Sequence, residues 1–223
     1  MNHICQNIKK IKENIPAGVT LVAVSKTKPQ EDILEAYHCN HRHFGENKVQ
    51  ELVDKYEALP KDIHWHMIGH LQRNKVKYIA GFVYLIHGVD NIKLLKEIEK
   101  QAKKINRRID ILLQIKIAKE ETKFGMNEKT LHEIVEDYQA GNFPHIQLKG
   151  LMGMATFTPD QEQIAGEFHY LHELYLKYQK IIPEFSYLSM GMSGDYPIAI
   201  ANGSNLIRVG SAIFGARNYN NVK

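Results

Sequence analysis

The chain is poor in the residues that staple, span or give a chain one sign of charge. Its 223 residues include two cysteines, Cys5 and Cys39, and no CxxC pair. That excludes a disulfide-built scaffold and reads as two free thiols in a reducing compartment. The longest apolar runs, such as 21–24 and 109–113, fall far short of the roughly 20 residues a membrane-spanning helix needs. Residues 1–16 carry Lys9, Lys10, Lys12 and Glu13 without a continuous apolar stretch, so no signal peptide is read there. Lys and Arg number 29 against 25 Asp and Glu, an excess of +4 spread along the chain. This gives no footprint for nucleic acid or for a membrane surface. Linkers, low-complexity tracts and internal repeats are missing. The expectation is one domain spanning 1–223, cytoplasmic and monomeric, with no nucleic-acid or membrane partner.

What is present is alternation. Short β-branched runs at 20–25, 43–45, 64–69, 83–89, 109–117, 147–155, 187–190 and 206–209 read as strands. Amphipathic stretches at about 30–38, 48–58, 72–79, 92–106, 128–138, 159–180 and 197–202 lie between them. Asp90 and Asn127 are placed to cap two of these helices, and Thr158 before Pro159 gives a cap-then-proline start to a third. A helix between each pair of strands demands a parallel sheet. The open doubly wound sheet usually has a glycine-rich loop after its first strand, whereas here that strand runs into Ser25-Lys26-Thr27-Lys28-Pro29. The pattern therefore predicts an α/β fold, a single (β/α)8 TIM-type barrel, with an extra N-terminal helix over about 4–13.

In such a barrel chemistry sits at the C-terminal ends of the strands. Lys26 ends the first strand. Burial there would lower its pKa and make the amine nucleophilic toward an aldehyde, unless it is simply a snorkelling or salt-bridged lysine. The loops after strands seven and eight are the usual phosphate positions, and here they hold Ser189, Ser193, Gly210 and Ser211. Arg208 lies in the apolar run Leu206-Ile207-Arg208-Val209. It cannot shed its charge and needs an acceptor, either a carboxylate at the barrel mouth or a ligand atom. An imine-forming lysine, a phosphate cradle and an arginine facing a ring nitrogen are together the parts of a pyridoxal-phosphate site. A barrel enzyme that acts on phosphorylated metabolites through Lys26 alone is the cofactor-free alternative.

Seven segments, in order, carry a resemblance: VAVSKTKP at 22–29, FGENKVQE at 44–51, HWHMIGHLQRNK at 64–75, EETKFG at 120–125, GLM at 150–152, LSMGMSGD at 188–195 and RVGSAIFGAR at 208–217. Over essentially its whole length the sequence resembles the pyridoxal phosphate homeostasis proteins, the proline synthetase co-transcribed group. The resemblance implies a barrel like the alanine racemase N-terminal domain, with pyridoxal 5'-phosphate (PLP) held as a Schiff base on Lys26. It further implies Ser189, Gly210 and Ser211 at the phosphate, Arg208 facing the pyridine nitrogen, and Asn47 and His70 lining the ring and mouth, with Met190 beside Ser189. The implied role is PLP homeostasis and amino- and keto-acid balance, with amino acids as further ligands and transient delivery of cofactor to PLP enzymes. The sequence departs from the family pattern at Lys116 and Lys119, just before EETKFG.

An arginine at the pyridine nitrogen disfavours its protonation. Like charges at ~4 Å in an effective dielectric of ~20 repel by about 4 kcal/mol. The ring would then be a weaker electron sink. Racemases of this fold also use a second domain for an opposing base, and only a few residues follow Phe214 here. The expectation is therefore a cofactor binder with little turnover, the alternative being a PLP enzyme of weak amino-acid racemase type. Other constellations carry less. Lys28 reads as a solvated lysine and Lys123 as a salt-bridge partner. His38, Cys39, His41 and His43 lack paired zinc spacing, and no metal site is expected.

Overall fold

Each strand of the chain pairs in parallel with its successor, and the eighth returns to the first. The computed structural model describes residues 3–215; the last two residues of the 208–217 segment lie outside them. Helix α1 (His3–Glu13) precedes β1 (Thr20–Val24), α2 (Gln30–His38), β2 (His43–Glu46), α3 (Val49–Ala58) and β3 (His64–Met67). Then come α4 (Val76–Ile79), β4 (Leu85–Val89), α5 (Ile92–Lys104), β5 (Ile109–Gln114), α6 (Glu128–Gln139) and β6 (Ile146–Met152). The chain continues with α7 (Gln161–Gln179), β7 (Tyr187–Ser189), α8 (Tyr196–Ala201), β8 (Leu206–Val209) and α9 (Ser211–Phe214). Thr20 lies opposite Leu206 and Val22 opposite Arg208, which closes the barrel. The expected barrel with its extra N-terminal helix is the observed fold.

Amphipathic spacing makes the helices. α5 buries Leu94, Leu95, Ile98 and Ala102 along one face. Its cap is Asn91, not Asp90: the Asn91 side chain accepts the Leu94 N–H at 2.9 Å. Asp160, not Thr158, caps α7 by accepting the Gln163 N–H at 3.0 Å. In both cases the cap is the residue whose side chain reaches an N–H left unpaired in the first turn. Asn127 caps α6 as expected. The expected helix over 72–79 opens as a 3-10 turn at Arg73–Lys75. The four-residue α9 went unread because it is a single turn marked only by Gly210 at its start.

A large apolar core fills the space between sheet and helices. A second cluster joins Val22, Leu85, Leu112, Met152 and Leu206, which come from five strands and can meet only inside the barrel. The same interior holds buried His66, His87, Gln114, Ser189 and Arg208. Gly150 sits at φ 150°, where β5 and β6 slip register, and a Cβ there would run into the Tyr187 carbonyl oxygen. Cys5 on α1 and Cys39 at the end of α2 are joined in a disulfide. This corrects the expectation of two free thiols: packing α1 on α2 brings the two Cα atoms to 5.9 Å, within bridging range.

One polar cluster fixes the turn after β1. Lys55 of α3 donates to Glu46 Oε1 at 2.8 Å, to Glu51 Oε1 at 2.7 Å and to the Ser25 carbonyl at 2.8 Å. The Ser25 hydroxyl donates to Glu46 Oε1 at 2.6 Å, and the Thr27 N–H donates to Glu51 Oε1 at 2.6 Å. Residues on both sides of Lys26 are thereby clamped to α3. Two carboxylates share one ammonium, and Glu46, which has no water contact, is pushed up to about 7. Burial dominates; the Lys55 charge opposes it and Glu51 repulsion adds to it.

Gly150→Ala should lower the unfolding free energy by about 2–4 kcal/mol in a urea titration, because it adds backbone strain to a backbone collision. A wild-type midpoint would show that the β5–β6 bulge tolerates a side chain. Glu46 is raised from 4.5 to about 7. Its contribution is therefore complete below pH 4.5 and lost as pH rises through about 7. Between pH 5 and pH 8 the wild type should lose stability relative to Glu46→Gln, which has no such proton. A difference that stays constant with pH would mean Glu46 is ionised throughout.

Candidate functional site

The C-terminal ends of the strands surround a cavity of about 610 Å³. Lys26 enters it from the turn after β1, and Thr27 next to it has φ 64°. Asn47 enters after β2 and His70 after β3. Gln114 contributes from the end of β5, Met154 and Thr156 from the segment after β6. The loop 192–195 follows β7, and Arg208, Gly210 and Ser211 complete the wall from β8 and its successor turn. The structure thus brings Lys26, Asn47, His70, Arg208, Gly210 and Ser211 to one cavity from four different strand ends.

The corner between the β7 and β8 loops is small and polar. The Gly210 N–H donates to Ser193 Oγ at 3.2 Å, and Asp195 accepts the Met192 N–H at 2.5 Å, which shapes the 192–195 turn. A Cβ at Gly210 would come to 3.2 Å from the Val24 carbonyl and 3.3 Å from Val24 Cβ. Any side chain there would press β8 away from the end of β1. At the mouth, His70 stacks on Phe124 with ring centres 4.4 Å apart, and its Nδ1 lies 3.5 Å from Asp90.

Arg208 is 3% exposed. Its Nη1 donates to Ser189 Oγ at 2.5 Å and its Nη2 to the Gly153 carbonyl at 3.1 Å. Among the described residues no carboxylate lies within ion-pair distance of it. Burial pushes the guanidinium down to about 10, partly offset by the more distant Asp195 charge, so it stays cationic at neutral pH. The carboxylate partner that an arginine in this run could have had is replaced by two neutral oxygens. The remaining N–H groups are the ones left to meet a ligand acceptor in the cavity.

Ser189 and Met190 are fully buried and are not in the cavity wall. The Ser189 hydroxyl sits beneath Arg208, in contact with His87 Nδ1 at 3.0 Å, and Met190 packs in the outer core. The serine that does reach the corner beside Gly210 and Ser211 is Ser193. Lys28, expected on the surface, is half-buried in the cavity wall, where its Nζ donates to the Phe214 carbonyl at 2.8 Å and to the Gly215 carbonyl at 3.3 Å. It ties the β1 turn to the end of α9. Lys123 lies near Glu120 and outside the cavity wall. Lys116 and Lys119 are exposed and also outside it. Among the described residues no cluster of three His, Cys, Asp or Glu is placed to hold a metal. No helix there is long and apolar enough to cross a membrane.

The sequence reading missed Glu46, Lys55 and His87. The signal for Glu46 was a carboxylate ending a buried strand with a lysine nine residues on. His87 lies in the apolar run Leu85–Val89, where an imidazole must find partners that only the closed barrel supplies.

Residues 1–218 match the family model for the alanine racemase N-terminal domain. A pyridoxal phosphate homeostasis protein of Aquifex aeolicus is 38% identical over 98% of this chain and 97% of its own length. The Escherichia coli protein of the same name is 34% identical over 98% and 99%. The solved structure of PipY from Synechococcus elongatus without PLP is 33% identical and superimposes with a TM-score of 0.88, over 95% of this chain and 100% of that one. PipY has also been solved with PLP bound, and that structure matches with a TM-score of 0.85. An alanine racemase from Streptomyces coelicolor, 15% identical with a TM-score of 0.82, shares the fold over 96% of this chain and 58% of its own. On the strength of its near-full-length relatives and a family model spanning the barrel, the chain belongs to the pyridoxal phosphate homeostasis proteins, built on the alanine racemase N-terminal fold.

Proposed function

We propose that the chain binds pyridoxal 5'-phosphate in this cavity and holds and releases it, without turning over a substrate of its own. The observation that carries the reading is the convergence on one cavity of Lys26, a buried guanidinium with no carboxylate at ion-pair distance among the described residues, and a corner of hydroxyls and small residues. The relatives' names and the PLP-bound PipY structure support it. A volume of about 610 Å³ is of the size that small cofactors occupy.

The residues fit the group. Lys26 would hold its aldehyde carbon covalently through Nζ. Ser193, Gly210 and Ser211 would take the phosphate with hydroxyl and backbone N–H donors. Arg208 would donate to the pyridine nitrogen and keep it unprotonated. Ser189, given to the phosphate by the family pattern, acts in this reading through Arg208. Asn47 and His70 would line the ring and the mouth. When bound, the cofactor supplies an electrophilic carbon and a conjugated ring. The protein's own part is to hold that ring with a fixed positive charge at its nitrogen. Every group in this assignment comes from the same chain, so a monomer suffices. Amino acids and PLP enzymes receiving the cofactor are the partners this reading implies, and an effect on amino- and keto-acid balance would follow from the supply of cofactor.

Lys26→Ala should remove the visible absorbance and the borohydride-reducible adduct, while weaker, non-covalent uptake remains. Peptide mapping that finds the adduct on Lys28 would move the attachment point. Ser211→Ala should weaken retention about tenfold, the loss of one charge-assisted hydrogen bond; unchanged affinity would take it out of the phosphate corner. Racemisation of any amino acid by the loaded protein at ~10 per second, a typical enzymatic rate, would overturn the absence of turnover.

A further inference from the structure

Below Arg208 the barrel interior holds a continuous row of imidazoles. Arg208 Nη1 contacts Ser189 Oγ at 2.5 Å, Ser189 Oγ contacts His87 Nδ1 at 3.0 Å, and His87 Nε2 contacts His66 Nδ1 at 2.9 Å. His66 Nε2 then meets His43 Nδ1 at 3.0 Å, and His43 Nε2 meets His64 Nδ1 at 3.4 Å. His66, His87 and Ser189 are fully buried. The row starts at the cavity wall and ends at the first residues of β2 and β3, at the opposite end of the barrel.

The first member fixes the sense of every step. A guanidinium only donates. Ser189 Oγ therefore accepts from Arg208, and its own hydrogen goes to His87 Nδ1, the one acceptor it meets among the described residues. His87 Nδ1 then accepts, which leaves the hydrogen on Nε2 to be donated to His66 Nδ1. By the same step His66 donates from Nε2 to His43 Nδ1, and His43 from Nε2 to His64. We propose that Ser189, His87, His66 and His43 form a one-way hydrogen-bonded ladder that orients Arg208 and sustains its charge with neutral acceptors, leaving that charge undivided for the ligand. This rests on the reading of the cavity as a PLP site, and makes the four side chains positioning residues for recognition of the ring.

Two arguments favour this role. A carboxylate under Arg208 would also hold it, but would cancel the charge that meets the ligand. A row of imidazoles with every acceptor nitrogen turned toward the guanidinium stabilises the cation without cancelling it. The row is also not a proton conduit to the cavity. Reversing it would leave the buried Ser189 hydrogen without an acceptor, because among the described residues the other partner of Ser189 Oγ is Arg208, which can only donate.

The surroundings keep the row neutral. Burial lowers His87, with Arg208 adding to it, and burial lowers His66, with repulsion from His87, His43, His64 and His41. His43 is pushed down to about 4 by burial, with His64 and Lys12 adding to it. At the far end burial lowers His64, with Asp62 opposing and Arg42 reinforcing, and Tyr84 stacks on its ring at 4.3 Å.

The test begins with nitrogen NMR of histidine in the cofactor-free protein. His43, His66 and His87 should all be neutral, with hydrogen on Nε2, from pH 8 down to about 5.5. Hydrogen on Nδ1 at His87 or His66 would overturn the ladder. The second arm measures affinity for PLP and for its analogue with carbon in place of the ring nitrogen. His87→Leu and Ser189→Ala should each weaken PLP binding about tenfold, a charge-assisted hydrogen bond mis-set, and leave binding of the carbon analogue unchanged. His87→Gln, which can accept from Ser189 and donate to His66, should restore PLP binding to within about threefold of wild type. Equal losses for both ligands, or no loss for either, would reduce the histidines to core packing. Should His87→Leu not fold, Ser189→Ala decides. A wild-type protein that takes up no PLP would sink the cofactor reading and the ligand half of this inference, while the hydrogen positions would still decide the ladder.

Discussion

A guanidinium buried inside a closed parallel barrel sets the terms for the rest of this structure. Arg208 cannot neutralise itself, and among the described residues no carboxylate lies within ion-pair distance of it. Its partners are the Ser189 hydroxyl and the Gly153 carbonyl, both neutral. The cost of keeping a cation there falls when an anionic or strongly accepting ligand shares the cavity, so the site is built to be completed. β8 lies beside β1, with Arg208 opposite Val22, which puts the cation and the Lys26 turn on adjacent strands at the same end of the barrel.

The neighbouring wall is fixed by another polar device. Lys55 grips Ser25, Glu46 and Glu51, and Glu51 grips the Thr27 amide, so the backbone around Lys26 is held from α3. Lys28 adds a third tether, to the carbonyls that end α9. These contacts hold the amine-bearing turn beside the glycine and serine corner. The cluster places two carboxylates on one ammonium, and burial pushes the buried one, Glu46, up to about 7. The two walls thus handle buried charge differently. Under Lys26 it is paired and its carboxylate drawn toward the neutral form, and at Arg208 it has only neutral partners among the described residues.

Much of this was legible in the chain itself. Alternating apolar runs and amphipathic stretches are local patterns, and a parallel closed barrel is the arrangement that buries them all, so the order of β1 to β8 could be read before any coordinates. The residues at strand ends were legible for the same reason: Lys26, Asn47, His70, Arg208, Gly210 and Ser211 sit where strands stop, and in this fold strands stop at one rim. Local signals failed where two acceptors competed. Asn91 took the place of Asp90, and Asp160 that of Thr158, because a cap is chosen by reach to an amide and not by residue type alone.

The amino-acid sequence determined the fold class, the rim on which chemistry collects and the identity of the side chains placed there, because each follows from short-range periodicity. Only the tertiary structure decided which of those side chains meet. Ser189 reads like a phosphate ligand but lies under Arg208, because the pleat of β7 turns it inward between His87 of β4 and Arg208 of β8. Cys5 and Cys39 read as separate thiols until α1 packs on α2. His43, His66 and His87 are unremarkable along the chain, and only the side-by-side register of β2, β3 and β4 stacks them into one hydrogen-bonded row. Contacts between residues far apart in sequence depend on strand register and barrel closure, which no local pattern encodes.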